Sequence, residues 1–205
     1  MYEEVTFKAE IARLLPSDFN TDAHKNACWL VYCNAQSPDH NRLVAGRLEH
    51  LGDEQIRILG KTNASSTGSI LRTETRWSII LNDSWILGGV HGRVNFELVS
   101  PVQGNVMDQS YTTNLSADRK FTVTGRELIG LKTFGYQQVY GPVEKITHEA
   151  RPAGLPGTTI LLQCTNPNLA ESATLTRYTS EVMRMAASPG ATKAAGWQML
   201  DDMFI

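Results

Sequence analysis

Cysteine is scarce in this chain: Cys28, Cys33 and Cys164 are the only three in 205 residues. An odd and sparse set does not build a disulfide framework, so reduced thiols are expected. Long apolar runs are missing too, since none reaches the roughly 18 residues that a membrane span requires. The opening M-Y-E-E-V-T-F-K-A-E has neither the basic start nor the apolar middle of a signal peptide. These absences lead to the expectation of a soluble, cytoplasmic chain with no membrane partner.

An excess of positive charge is also absent. Nineteen basic residues against 21 acidic ones leave a net charge of −2, which removes the broad attraction behind most non-specific nucleic-acid binding. Arg72, Arg76 and Arg93 could form a local basic patch, but three scattered arginines do not make a nucleic-acid partner the expectation. No internal repeat, heptad series or low-complexity tract appears. With 41% hydrophobic and 20% charged residues, the composition is that of a globular chain, and its length fits one domain spanning 1–205.

Two motifs fail on spacing. Gly60-Lys61-Thr62 ends like a phosphate-binding loop, but the position five residues before Gly60 is Gln55, so the glycine that opens the backbone cradle is missing. Cys28 and Cys33 are five residues apart, a rotation of about 500° on a helix, which puts them on different faces. His24 and Cys28 do share a face, yet no second close pair of Cys or His follows to complete a zinc site. No metal and no cofactor are expected.

The local patterns predict an α+β fold. In the first fifteen residues Val5, Phe7 and Ala9 alternate like a strand while Phe7, Ile11, Leu14 and Leu15 recur at helical spacing, and of the two the helix is expected. The segment from Thr21 to about Ala35 reads as a second helix. In S-P-D-H-N-R-L-V-A-G-R-L-E-H-L-G, Ser37 as cap, Pro38 at the first helical position and Gly52 as stop predict a third. A central antiparallel sheet is expected from strands near 55–59, 76–81, 85–90, 94–99 and 158–163, with a hairpin turning at Asn82-Asp83-Ser84. Thr124-Gly-Arg-Glu127 has capping-box spacing and predicts a helix ending at Gly135. Helices over Leu169 to about Ala187 and over 189–205 complete the expectation, the last a candidate docking helix.

The candidate site follows from the strand assignment. In W-I-L-G-G-V-H-G-R-V-N-F-E-L, glycines at 88, 89 and 92 surround His91, and could admit a ligand or another backbone, or build a bend. Strand alternation would place His91, Arg93, Asn95 and Glu97 on one face and Val90, Val94, Phe96 and Leu98 on the other. Such a face can floor a cleft, with His91 as general acid or base, Arg93 stabilising an anion and Glu97 orienting the imidazole. Cys28, on an early helix, is the candidate nucleophile, a plan similar in outline to papain-like hydrolases, with Asp108, Asn105 or Asn95 as orienter. Asp201-Asp202 and the capping-box pair Arg126 and Glu127 read as structural or solvated.

Two functions result. One is a small soluble hydrolase or transferase acting on an unidentified small molecule or protein through the His91-centred site. The other is a non-enzymatic binding or assembly protein, homo-oligomeric or bound to a protein partner through Trp197, Met199, Leu200, Met203, Phe204 and Ile205.

Overall fold

The computed structural model describes residues 1–36, 42–44, 78–98, 123–142, 158–165, 168 and 172–187. Among these, five helices and four strands occur: α1 (Glu4–Leu14), α2 (Asp22–Ala35), β1 (Arg42–Val44), α3 (Ile79–His91), β2 (Phe96–Leu98), α4 (Val123–Thr133), β3 (Tyr136–Pro142), β4 (Thr158–Cys164) and α5 (Leu175–Ala187). Helix and strand are mixed, but the weight among the described residues is helical, and the most buried element is a helix.

That helix is α3. Every residue from Ile79 to Val90 is buried, including Asn82, Asp83 and Ser84. A helix that is apolar nearly all round has no single wet face and belongs inside. The strands expected at 76–81 and 85–90, and the hairpin between them, are therefore corrected to one helix. Ser78 starts it by accepting the Leu81 amide at 3.1 Å, and the Ser84 hydroxyl donates back to the Ile80 carbonyl at 2.6 Å. Two apolar runs flanking N-D-S look the same to a periodicity argument whether they are paired strands or one buried helix.

Helix α2 packs along α3. Its start is capped by Thr21, whose hydroxyl accepts the His24 amide at 3.2 Å, and it buries His24, Ala27, Cys28, Val31, Tyr32 and Ala35. A Cβ on Gly88 would lie 2.2 Å from the Tyr32 carbonyl oxygen, and one on Gly92 would lie 2.2 Å from that of Gln36. The contacts advance together along both chains, 24 with 78 through the 2.6 Å His24–Ser78 hydrogen bond, then 32 with 88 and 36 with 92. The two helices thus run in the same direction, and Gly88 and Gly92 serve their close approach, whereas Gly89 makes room for the Phe96 ring.

The remaining elements close over this pair. Helix α1 buries Phe7 and Ile11, one turn apart, and α5 turns in Leu175, Tyr178 and Val182. The sheet has the order β1-β2-β4-β3. Its longest pairing is antiparallel, β3 with β4 from Tyr136 opposite Cys164 to Pro142 opposite Thr158. Strand β4 matches the expectation near 158–163, and β2 lies within 94–99.

Three further expectations change. Arg42–Val44 is strand β1, parallel to β2, where the sequence predicts helix; the backbone partners offered by Phe96–Leu98 hold the extended form. Strand β3 runs to Gly141 and Pro142 and stands outside the strands the sequence predicts. Helix α4 starts at Val123, ahead of Thr124, so the capping-box register is displaced, and Arg126 and Glu127 are both buried. The strand at 55–59, the rest of the 37–52 helix and the 189–205 helix lie outside the described residues.

Candidate functional site

His91 is the last residue of α3, and its ring lies where three segments meet. Nε2 is 3.0 Å from the Ala173 carbonyl oxygen, which can only accept, so Nε2 carries the proton. Nδ1 is then the acceptor, and the Tyr32 hydroxyl donates to it at 2.6 Å. The Tyr32 oxygen in turn accepts the Tyr2 amide at 2.9 Å. Three hydrogen bonds thus run in one direction, from the backbone of Tyr2 through Tyr32 and His91 to the turn before α5.

Aromatic rings flank this chain, and Tyr2 and His91 remain partly exposed. The Tyr2 and Tyr32 rings lie 5.9 and 5.6 Å from the imidazole. Burial lowers the proton affinity of His91, partly offset by the Ala173 hydrogen bond, and the N-terminal ammonium lowers it further. Burial likewise pushes the Tyr32 hydroxyl up to about 12. Both groups are neutral at physiological pH, as the hydrogen-bond directions require.

The other predicted residues lie on other segments, and none of them supplies the two hydrogen bonds to the His91 ring. Arg93 is exposed and follows the helix end with φ 54, in the left-handed region. His91 is helical and half-exposed Gly92 follows it, so strand alternation does not unite His91 and Arg93 on one face. Asn95 is exposed, and Glu97 is in β2, opposite Leu43 on one side and Leu161 on the other. Cys28 is fully buried in the apolar core, one helical turn before Tyr32. Both ring nitrogens of His91 are engaged by Tyr32 and Ala173, so the structure couples the imidazole to a hydroxyl and a carbonyl, not to the Cys28 thiol. Asp108 and Asn105 lie outside the described residues.

A second polar centre was not foreseen in the sequence. Asp83, fully buried on α3, receives two parallel hydrogen bonds from Arg126 of α4, at 2.8 Å from Nε and 2.5 Å from Nη2. Arg126 also stands 5.6 Å over the Tyr178 ring, and its carbonyl accepts the Tyr178 hydroxyl at 3.0 Å. This fork geometry is what compensates two charges removed from water. One signal was available: an aspartate inside an apolar run can be buried only if a cation meets it. Nothing in the spacing indicates that the cation is Arg126, 43 residues later.

Elsewhere, a shallow groove of about 480 Å³ between α1 and α2 is lined by Lys8, Ala9, Ala12, Asp22, Lys25 and Asn26. Its cations are already engaged, Lys8 with Glu4 and Lys25 with Asp22 at 2.8 Å. Among the described residues no cluster of His, Cys, Asp and Glu is placed to hold a metal ion, and no helix is long and apolar enough to cross a membrane. No protein-family model, curated protein or solved structure matches the chain.

Proposed function

We propose that the chain is a non-enzymatic binding or assembly protein whose helical frame carries its interacting segments. The observation that supports this reading is the commitment of His91: one ring nitrogen accepts from Tyr32 and the other donates to Ala173, so the residue joins α2, α3 and the approach to α5. A general base needs a nitrogen within reach of the proton it removes. In the rival reading, a hydrolase or transferase built on His91, Arg93, Glu97 and Cys28, the His91 Nδ1 must first give up the Tyr32 hydroxyl before it can take a proton.

The interacting element in this proposal is the apolar end of the chain. Pro189-Gly190 follows α5, and Trp197, Met199, Leu200, Met203, Phe204 and Ile205 give the terminal segment a strongly apolar character. Truncation after Pro189 tests it by sedimentation velocity and circular dichroism. The expected result is loss of self-association or partner binding with unchanged helical signal and melting temperature. Global unfolding of the truncated chain would assign the segment to the core and sink the proposal. Loss of an activity in both His91→Ala and Cys28→Ala, each still folded, would instead favour the enzyme.

A further inference from the structure

We propose that the Tyr2–Tyr32–His91–Ala173 chain of hydrogen bonds is a proton-operated latch, which holds the N-terminal segment and the start of α5 on the α2–α3 core and opens when His91 is protonated. The inference goes beyond the binding reading and does not depend on it.

For the neutral ring the geometry allows one proton arrangement. The Ala173 carbonyl fixes hydrogen on Nε2, and Nδ1 must then accept from Tyr32, whose oxygen accepts from Tyr2. A second proton on the ring turns Nδ1 into a donor aimed at a hydroxyl that is itself donating. Tyr32 could face that donor only by rotating its own hydrogen away, while its oxygen accepted two N–H groups between the flanking aromatic rings. The most direct relief is separation of the His91 ring from Tyr32, which loosens the grip on the Tyr2 amide.

Tyr2 couples this event to α5. Its hydroxyl donates to Glu10 of α1 and accepts the Leu175 amide at 3.4 Å. Glu10 also accepts the Thr176 amide at 2.9 Å and the Thr176 hydroxyl at 2.7 Å. The start of α5 is therefore held by Ala173 on His91 and by Leu175 and Thr176 on the Tyr2–Glu10 pair. Displacing His91 breaks the first of these bonds directly and disturbs the other two through Tyr2.

The ionisable surroundings favour opening over a charged closed state. From the N-terminal segment the Met1 ammonium repels an imidazolium. From α2 only the neutral Tyr32 hydroxyl bonds the ring, and from the α5 side a backbone carbonyl. The Glu10 carboxylate of α1 is engaged by Tyr2 and Thr176, and the Asp83–Arg126 pair linking α3 to α4 lies about 12 Å along the α3 axis, eight residues away.

Hydrogen–deuterium exchange on the full chain tests the latch, comparing about pH 7.5 with about pH 5.5 after correction for intrinsic rates. Corrected exchange over residues 1–14 and 173–187 should rise about tenfold or more at the lower pH, while residues 79–90 keep their protection. Tyr32→Phe, which deletes the central hydroxyl, should bring the same two segments to their acid level already at the higher pH. Equal corrected exchange at both pH values, or a rise that includes residues 79–90 equally, overturns the proposal. If Tyr32→Phe does not fold, the ring of the unmodified protein decides: nitrogen chemical shifts at about pH 7.5 should report the Nε2–H tautomer of His91, and the Nδ1–H tautomer would remove the premise.

Discussion

Gly88 and Arg93 show opposite relations between a residue and its backbone. Gly88 adopts ordinary helical geometry, but a Cβ there would sit 2.2 Å from the Tyr32 carbonyl oxygen and 2.9 Å from the Ala35 Cβ. The obstacle is backbone, which cannot swing aside, so Gly88→Ala must push α2 away from α3. A loss of about 3 kcal/mol is expected, at the upper end of overpacking effects. Arg93 is the reverse case: the side chain is exposed, and the strain lies in its φ of 54. Arg93→Gly should relieve it and stabilise the fold by up to about 1 kcal/mol. Urea unfolding of the two variants checks both, and a destabilised Arg93→Gly would show that the guanidinium makes a contact worth more than the strain.

Between elements, the Asp83–Arg126 pair fixes how α3 meets α4. Arg126→Met leaves a fully buried carboxylate without its cation and is expected to lower stability by about 3–5 kcal/mol. Adding Asp83→Leu should return most of that loss, because the desolvation penalty goes with the second charge. A double variant no more stable than the single one would mean that the Arg126 stem, packed on Tyr178, carries the effect. The same pair marks the boundary of what could be read from sequence. Helix α2 was readable from apolar residues at helical spacing, α1 from Phe7 and Ile11 against a competing strand alternation of Val5, Phe7 and Ala9, and most of α5 from its helix-forming composition. Strand β4 was readable as a short apolar run after a glycine- and proline-rich connection. Helix α3 was not, because burial on every side erases periodicity, and N-D-S in its middle imitates a turn. The expected polar face was read from strand alternation, which does not apply once His91 ends a helix and Arg93 follows it with φ 54. Close approach of another backbone, one of the two uses the sequence offers for these glycines, is what Gly88 and Gly92 provide, with a helix in place of the expected strand, while Gly89 faces Phe96 and Val94.

Across the molecule, the titrating groups bound a window of stability. His91 ordinarily titrates near 6.5, and burial lowers that in the folded chain. Below about pH 6.5 the unfolded chain therefore binds protons that the folded chain does not, and stability falls as the pH falls towards the folded value. At the alkaline end the signs reverse. Burial raises Cys33 from 9.0 to about 11 and Tyr32 from 10.0 to about 12, so the folded chain keeps protons that the unfolded chain gives up. Stability is lost as the pH rises past about 9 and is exhausted for these groups only above their folded values. Urea midpoints should consequently form a plateau between about pH 6.5 and 9 that declines on both sides. His91→Gln separates the two limbs, because it removes the imidazole but neither Cys33 nor Tyr32. The slope between about pH 6.5 and 5 should flatten in that variant, with the alkaline decline unchanged. If the acid slope persists in a folded His91→Gln protein, the proton uptake belongs to another group, and His91 does not govern how acid destabilises the fold.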